Sequence, residues 1–549
     1  MASSGTASGP VSGDSAGVMP VANEPPSDAV AHDQVSLVLD HAETVKLNDP
    51  VQDQAIFVND TELNRVASAP YSVFSVTTRR WVVFMITIGS IISPMTANIY
   101  FPAIVSISKD LNVSLSLINL SLTTYMIFQG LSPPIFGDFG DMAGRRPAYI
   151  VSLTMYTIIN IALALQRNYA ALLVLRCLQS AGSSGTLALG YAVVADLVPR
   201  SDRGRYMGII GAGINAGPTL GPFLGGLLSQ FLGWPALFWF LAIFAFAWLV
   251  PWILFVPETC RNVVGNGSAA PQSWNYPVIQ YLVKRRQSTE AESGTTRKLR
   301  IPNPLKTLAL SFEKEMGQIL IIATAIYLDF ILVAATLSPL FKKIYGFSDL
   351  QIGLCYLPYG VGCCITSILQ GYVLDWNYRR IAKKVGFGMV QKSKEEMLKF
   401  PIESARMQPL YPTLAVGSAA VIAYGWALHM QTTVAVPLAM LFIIGMTVPS
   451  SFNALTTLIV DIFPEAPATA AAANNLVRCL FGAAATSIID FMLQGMGIGG
   501  CFTFLASLMI TSIPWLWVIQ SRGPRWRAEK EKAIELKELN KSQAANQAK

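Results

Sequence analysis

The sequence predicts an all-α membrane protein of twelve transmembrane helices arranged as two related six-helix halves. Of its 549 residues, 52% are hydrophobic and only 13% are charged, and a mean hydropathy of +0.45 is too apolar for an ordinary soluble domain. Twelve runs reach the ~17–25 residues that a helix needs to cross a hydrocarbon core. A charged turn between two of those runs recurs at the matching place in the second half of the chain.

Taken in order, residues 1–78 are rich in Ser, Ala, Gly, Pro and acids, with no sustained period, and read as a disordered cytoplasmic tail. The tail lacks a basic start followed by an apolar core, so the first span is expected to act as the insertion signal. The N-terminal half, 79–257, holds runs at 81–103, 114–136, 147–166, 169–195, 206–230 and 235–257. A polar central loop, 258–316, follows. The C-terminal half, 317–520, holds runs at 317–341, 349–374, 409–429, 432–459, 468–492 and 499–520, with a long polar loop at 375–408. The tail 521–549 pairs Glu529, Lys530, Glu531, Lys532, Glu535, Lys537 and Glu538 at helical spacing and reads as a short solvated helix.

Cations set the orientation. Arg145 and Arg146, then Arg200, Arg203 and Arg205, fall in alternate short loops, whereas the opposite loops hold Lys109, Arg167, Lys342 and Lys343. The first set marks the cytoplasm. Both termini, the central loop with Lys284, Arg285 and Arg286, and the loop with Arg379, Arg380, Lys383 and Lys384 fall on that side. The formal charge of +7 is therefore explained by topology and anionic lipid, and nucleic-acid binding is set aside. Seven cysteines without metal-ligand spacing are expected to be free thiols.

The turn Gly137-Asp138-Phe139-Gly140-Asp141-Met142-Ala143-Gly144-Arg145-Arg146-Pro147 packs charge and glycine between two apolar runs. It can sit only at a membrane surface. After run 8, Gly371, Asp375, Arg379 and Arg380 repeat Gly137, Asp141, Arg145 and Arg146 at the same spacing. Asp196-Leu197-Val198-Pro199 after run 4 is echoed by Asp461-Ile462-Phe463-Pro464 after run 10. Two echoes at matching positions indicate a parallel internal duplication.

With that duplication in view, the chain resembles the major facilitator superfamily, close to the fungal twelve-span drug:proton antiporters, over about residues 80–522. Gly137 to Pro147 is similar to the family's first cytoplasmic loop motif. Pro94 to Ala103 in run 1 and Val256-Pro257-Glu258-Thr259 resemble signatures of the fungal branch, and Asn474 to Leu480 resembles span 11 of the quinidine-resistance, polyamine and dityrosine exporter subgroup.

Each motif also has a physical reading. Asp141 can accept hydrogen bonds from a helix N-terminus, while Arg145 and Arg146 can reach carboxylates on neighbouring loops, which makes a breakable latch. Pro467 and the alanine run beyond it offer such a terminus at span 11, and the resemblance implies that this contact closes the cytoplasmic side. The alternative is that the two arginines only set topology. In span 5, Gly213, Gly217, Gly221 and Gly225 recur every four residues, with Gly226 beside them, while Pro218 and Pro222 should bend the helix. Tight packing alone would explain the stripe, but the resemblance assigns it to the motif associated with antiporters.

Arg176 lies inside span 4 with Gln179, Ser180 and Ser183 on one stripe. Placing it in hydrocarbon costs at least ~2.5 kcal/mol, so it faces a partner or a cavity, or snorkels to the outer interface. The resemblance implicates it in proton coupling. Asp329, near the middle of span 7, is the carboxylate expected to carry the proton, since loss of water penalises a carboxylate's charge; the alternative is a structural aspartate. Arg478 shares a helical face with Asn474 and Gly482, with Asp329 a candidate partner. Asn98, Tyr100, Tyr125, Gln129, Gln179, Asn474 and Arg478 are candidate cavity residues. Asp490 reads as interfacial.

The expected function is a proton-coupled antiporter that exports small organic molecules, often cationic, such as drugs or polyamines, by alternating access. Expected partners are the substrate, protons and the bilayer. A monomer in the plasma membrane, or alternatively the vacuolar membrane, is expected, with no metal and no cofactor beyond the proton gradient. The absence of a phosphate-binding G-x-x-x-x-G-K-S/T loop disfavours an ATP-driven pump. A nutrient importer or uniporter of the same fold is the alternative, and a membrane enzyme or receptor stands behind it.

Overall fold

The computed structural model describes residues 71–198, 203–279, 311–386, 400–463 and 467–547. The tail 1–70, Arg200, Asp202, Lys284, Arg285, Arg286 and Pro464 lie outside the described residues, as do the side chains of Arg203 and Arg205.

The long helices are α1 (Val76–Asn98), α2 (Leu115–Ala143), α3 (Arg145–Leu165), α4 (Tyr169–Leu197), α5 (Arg203–Leu232) and α6 (Pro235–Phe255) in the first half. In the second half come α7 (Lys314–Tyr345), α8 (Asp349–Val385), α9 (Leu410–His429), α10 (Ala435–Ile462) and α11 (Pro467–Gln547). Gly497, at φ 70° and ψ 169°, breaks α11 into two arms, so twelve helical segments lie where the twelve apolar runs were read. Among the described residues, eight helices, counting both arms of α11 as one, are long and apolar enough by length and composition to cross a membrane. α2, α4 and α5 fall outside that set; they carry the glycines, serines and prolines that line internal surfaces.

Local chemistry explains the ends. Ser114 caps α2 by accepting from the Leu117 amide, and Ser348 with Gln351 forms a capping box on α8. Between α2 and α3 the chain reverses at Gly144 with φ 117°, a backbone conformation disfavoured for any residue with a Cβ. The charged turn read from the sequence thus consists of this one residue between two helices.

The two halves repeat one packing scheme. α2 packs on α4, α1 on α5 and α3 on α6; the counterparts are α8 on α10, α7 on α11 and α9 on α11. The second arm of α11 supplies the α9 contact, where Tyr424 meets Phe502 edge-on and the Trp426 indole donates to Thr503. The halves meet where α2 lies on α11 and α5 on α8. In the first half, Tyr149 of α3 packs 4.5 Å from Trp252 and 5.4 Å from Trp248 of α6, between ring centroids, a dry aromatic block.

One sequence echo is corrected. Arg379 and Arg380 do not reproduce Arg145 and Arg146: both are exposed, and Arg380 stacks over Trp376. The equivalent of Arg145 is Arg406, in the short helix Ile402–Met407 before α9. Arg145 donates from Nε to Asp196 at 2.9 Å and reaches Asp141 at 2.5 Å; Arg406 donates from Nε to Asp461 at 2.8 Å and lies 4.0 Å from Asp375. The insertion 375–408 separates the arginine from its aspartate in sequence while the fold restores the pair.

Candidate transport site

A cavity of about 190 Å³ opens between the halves, lined by residues of α1, α2, α4, α5, α7, α10 and α11, with Phe101 at the end of α1. Of the expected cavity residues, Asn98, Tyr125, Gln129 and Arg478 are on its wall. Tyr100, Gln179 and Asn474 are buried elsewhere: the Tyr100 hydroxyl meets Ser121 at 2.9 Å, Gln179 donates to Asn160 at 2.6 Å, and Asn474 donates to Thr456. The wall also includes Asn215, Tyr327, Phe330, Phe452 and Asn453, which the sequence reading did not select.

Arg478 donates from Nε and Nη2 to Asn475 Oδ1 at 3.1 and 2.7 Å. Its guanidinium lies 4.9 Å from the Tyr327 ring centroid and 5.4 Å from that of Phe452. The residue that holds it is therefore Asn475, one turn back along α11, and the suggested Asp329 pairing is absent.

Asp329 is 1% exposed and off the cavity wall. Both its oxygens are buried without a hydrogen-bond partner among the described residues. A carboxylate so placed needs a proton or a cation beside it, and no described side chain supplies the cation.

Arg176 is fully buried, so it does not snorkel. Its guanidinium is sandwiched between Tyr100 and Tyr125, 4.3 Å from each ring centroid, and Nη1 donates to Gln179 at 2.6 Å. Its partner is thus the pair of aromatic faces, through cation–π contact. Tyr125 is the one wall residue behind which this charge sits.

The glycine stripe of α5 faces α1. A Cβ at Gly213, Gly217 or Gly221 would press on α1 backbone, and at Gly225 it would collide with the Ile99 carbonyl. Gly226 lies instead against Gly353 of α8, across the junction between halves. Pro218 lines the cavity, while the Pro222 carbonyl lies 2.8 Å from where a Cβ on Gly353 would sit.

Hydrogen bonds join the halves from mid-span to one end. Asn475 donates to the Gln129 carbonyl at 3.0 Å, Thr123 meets Ser487 at 2.7 Å, and Asn119 donates to Asp490 at 3.0 Å. Asp490 thus ties α11 to α2 at that end, a structural role and not one on the cavity wall. At the same end Asp349 Oδ2 accepts from Ser106 at 2.5 Å and Ser229 at 2.7 Å, both of the first half, while Oδ1 takes Lys342 at 2.7 Å. Toward the opposite end Gly137, Gly208, Gly211 and Gly371 face open space.

The loop residues at that opposite end bond within their own half. Arg145 and Arg146 are 7% and 4% exposed, too buried to serve only as topology charges. Their amides donate to Glu258 at 2.8 and 3.1 Å, and Glu258 also accepts from Thr259, Cys260 and Asn275. It is Glu258, from the chain just after α6, that caps α3. Asp141 pairs with Arg145; the chain just before α11, residues 464–466, and the side chains of 467–469, where the expected latch contact would fall, lie outside the described residues. Burial pushes the Asp196 carboxyl above its ordinary range, against the pull of Arg145, and does the same to Asp461 against Arg406. The Cys260 thiol is pushed up to about 11 by burial.

The family model described as Major Facilitator Superfamily matches residues 86–486. This chain belongs to the major facilitator superfamily. It is 40% identical over 521 residues to the MFS-type transporter phiD of a fungal species, covering 93% of this chain and 79% of that one. It is 34% identical over 478 residues to Citrate exporter 1 of Aspergillus niger, covering 85% and 90%. The human organic anion transporter MFSD10 (TETRAN) shares the fold, with a TM-score of 0.52 at 18% identity over 80% of this chain and 100% of that chain. The protein is thus a membrane transporter of fungal type and not an enzyme, and the cavity between its halves is where a superfamily transporter would hold its cargo.

Proposed function

We propose that this transporter is a secondary active exporter that exchanges a small organic molecule from the cytoplasm for external protons. The observation that carries the reading is Asp329: a carboxylate 1% exposed, with neither oxygen bonded among the described residues, in the helix that supplies Tyr327, Phe330 and Ile331 to the cavity wall. Charging it without a partner costs several kcal/mol, so its proton must come and go with a change in the helices around it. The direction is supported by the antiporter-like stripe of α5 and by the relative named an exporter. With the arginine-rich end cytoplasmic, the arrangement faces inward, its outer end closed at Asp349. We place a monomer in the plasma membrane with both termini inside.

The test uses the full-length protein in proteoliposomes loaded with a pH-sensitive dye and a panel of labelled organic acids, amines and neutral aromatics. An imposed proton gradient should drive counter-movement of at least one labelled compound, and that compound should in turn drive protons. Flux that ignores the gradient in both directions would contradict the proposal and favour uniport.

A further inference from the structure

We infer that the cargo bound at Arg478 is a small organic anion, a carboxylate joined to an apolar or aromatic body. The inference rests on the transport reading of the cavity and deepens it. Among the described residues lining the cavity, Arg478 is the one charged side chain, and no acid shares the wall. Asn475 neutralises none of its charge; it takes Nε and one N–H of Nη2, the neighbouring Cys479 thiol is also within the guanidinium's reach, and no carboxylate or second oxygen acceptor among the described residues takes the remaining N–H groups. The guanidinium is half-buried and held between Tyr327 and Phe452, so its plane is fixed before any ligand arrives. A planar donor fork with open positions matches a carboxylate in geometry as well as charge.

The surroundings strengthen the sign. Arg176, behind Tyr125, is a second cation with no carboxylate within ion-pair distance among the described residues. Two uncompensated cations in a low-dielectric site raise the local anion concentration and repel amines. Asp329, the carboxylate that a cationic drug would need, is off the wall and sealed from it. The cationic cargo expected from the sequence is thus disfavoured by the cavity. Tyr327, Phe330 and Phe452 supply the apolar floor for the body of the ligand, and Asn215 and Asn453 can hydrogen-bond a second polar group.

The test measures binding by purified full-length transporter of matched triplets that differ only in head group. These are 2-naphthoate, 2-naphthamide and 2-naphthylmethylammonium, with hexanoate, hexanamide and hexylammonium, and succinate beside succinamide. Thermal shift and equilibrium competition give the affinities. A carboxylate should bind about ten-fold or more tightly than its amide, and its ammonium should bind weakest. Arg478→Gln should erase that preference, weakening carboxylate binding about ten-fold or more and amide binding far less, and Arg478→Lys should retain part of it. Size-exclusion elution and melting without ligand check that each variant folds. An amide or ammonium binding tightest, a preference surviving in Arg478→Gln, or no carboxylate binding at all would overturn the inference. Proton-driven exchange of an ammonium probe would remove the anion assignment while leaving proton-driven export standing; tight carboxylate binding without proton-driven exchange would do the reverse.

Discussion

Asp196 shows how a charged pair can be built to respond to acid. It accepts from Arg145 at 2.9 Å, yet burial outweighs the guanidinium and leaves its carboxyl above the ordinary range. A group whose folded value is raised favours folding when protonated, so its contribution is lost as pH rises from the ordinary aspartate range through the raised one. The melting temperature of wild type relative to Asp196→Asn should therefore fall across that window and level off above it. A difference that is flat with pH, measured in the same detergent, would show that burial does not dominate. On acidification Asp196 gives up its charge, and Arg145 is left with Asp141 and the Glu258-capped backbone.

At the scale of elements, α5 and α8 are the pair on which movement turns. Glycines on α5 let α1 approach to backbone contact, so α1 and α5 should travel together, whereas Gly226 and Gly353 meet between halves and can slide. At the ends away from Arg145, Asp349 gathers Ser106, Ser229 and Lys342. Such a charge-assisted cluster is worth about 1.5–3 kcal/mol, enough to shift a two-state equilibrium ten-fold or more. Asp349→Asn should keep the fold but open this end, which spin-label distances across α2 and α8 near it would show as a longer population. Unchanged distances would mean that the closure is carried by the apolar contacts around Phe101 and Tyr356, stacked 6.2 Å apart.

For the whole molecule, much was legible in the sequence because a bilayer leaves few choices. Long apolar runs must be helices, and the duplicated order of the runs fixed the pairing of halves. What escaped the reading has physical causes. Arg406 was hidden because the insertion 375–408 moved it away from Asp375, so spacing favoured Arg379 and Arg380. Tyr327 and Phe452 look in sequence like any packing or belt aromatics, and only the fold turns them toward Arg478. Asp349 and Glu258 read as a span end and a motif residue; their roles depend on partners more than a hundred residues away in the chain. Asp329 and Arg176 stood out because a charge in an apolar run is conspicuous, although the company each keeps was not predictable. The surroundings of Arg176 are two tyrosines rather than an acid, and Asp329 has none of the cation first considered for it.

The central claim is that a proton carried by Asp329 drives exchange of the cargo in the cavity. It is tested most directly by proton-driven flux as a function of pH in proteoliposomes, comparing wild type with Asp329→Asn. The account predicts that the variant folds, binds cargo with near-normal affinity and equilibrates it, but loses at least about ten-fold in gradient-driven accumulation, with no remaining pH dependence. Accumulation and pH dependence equal to wild type would contradict it.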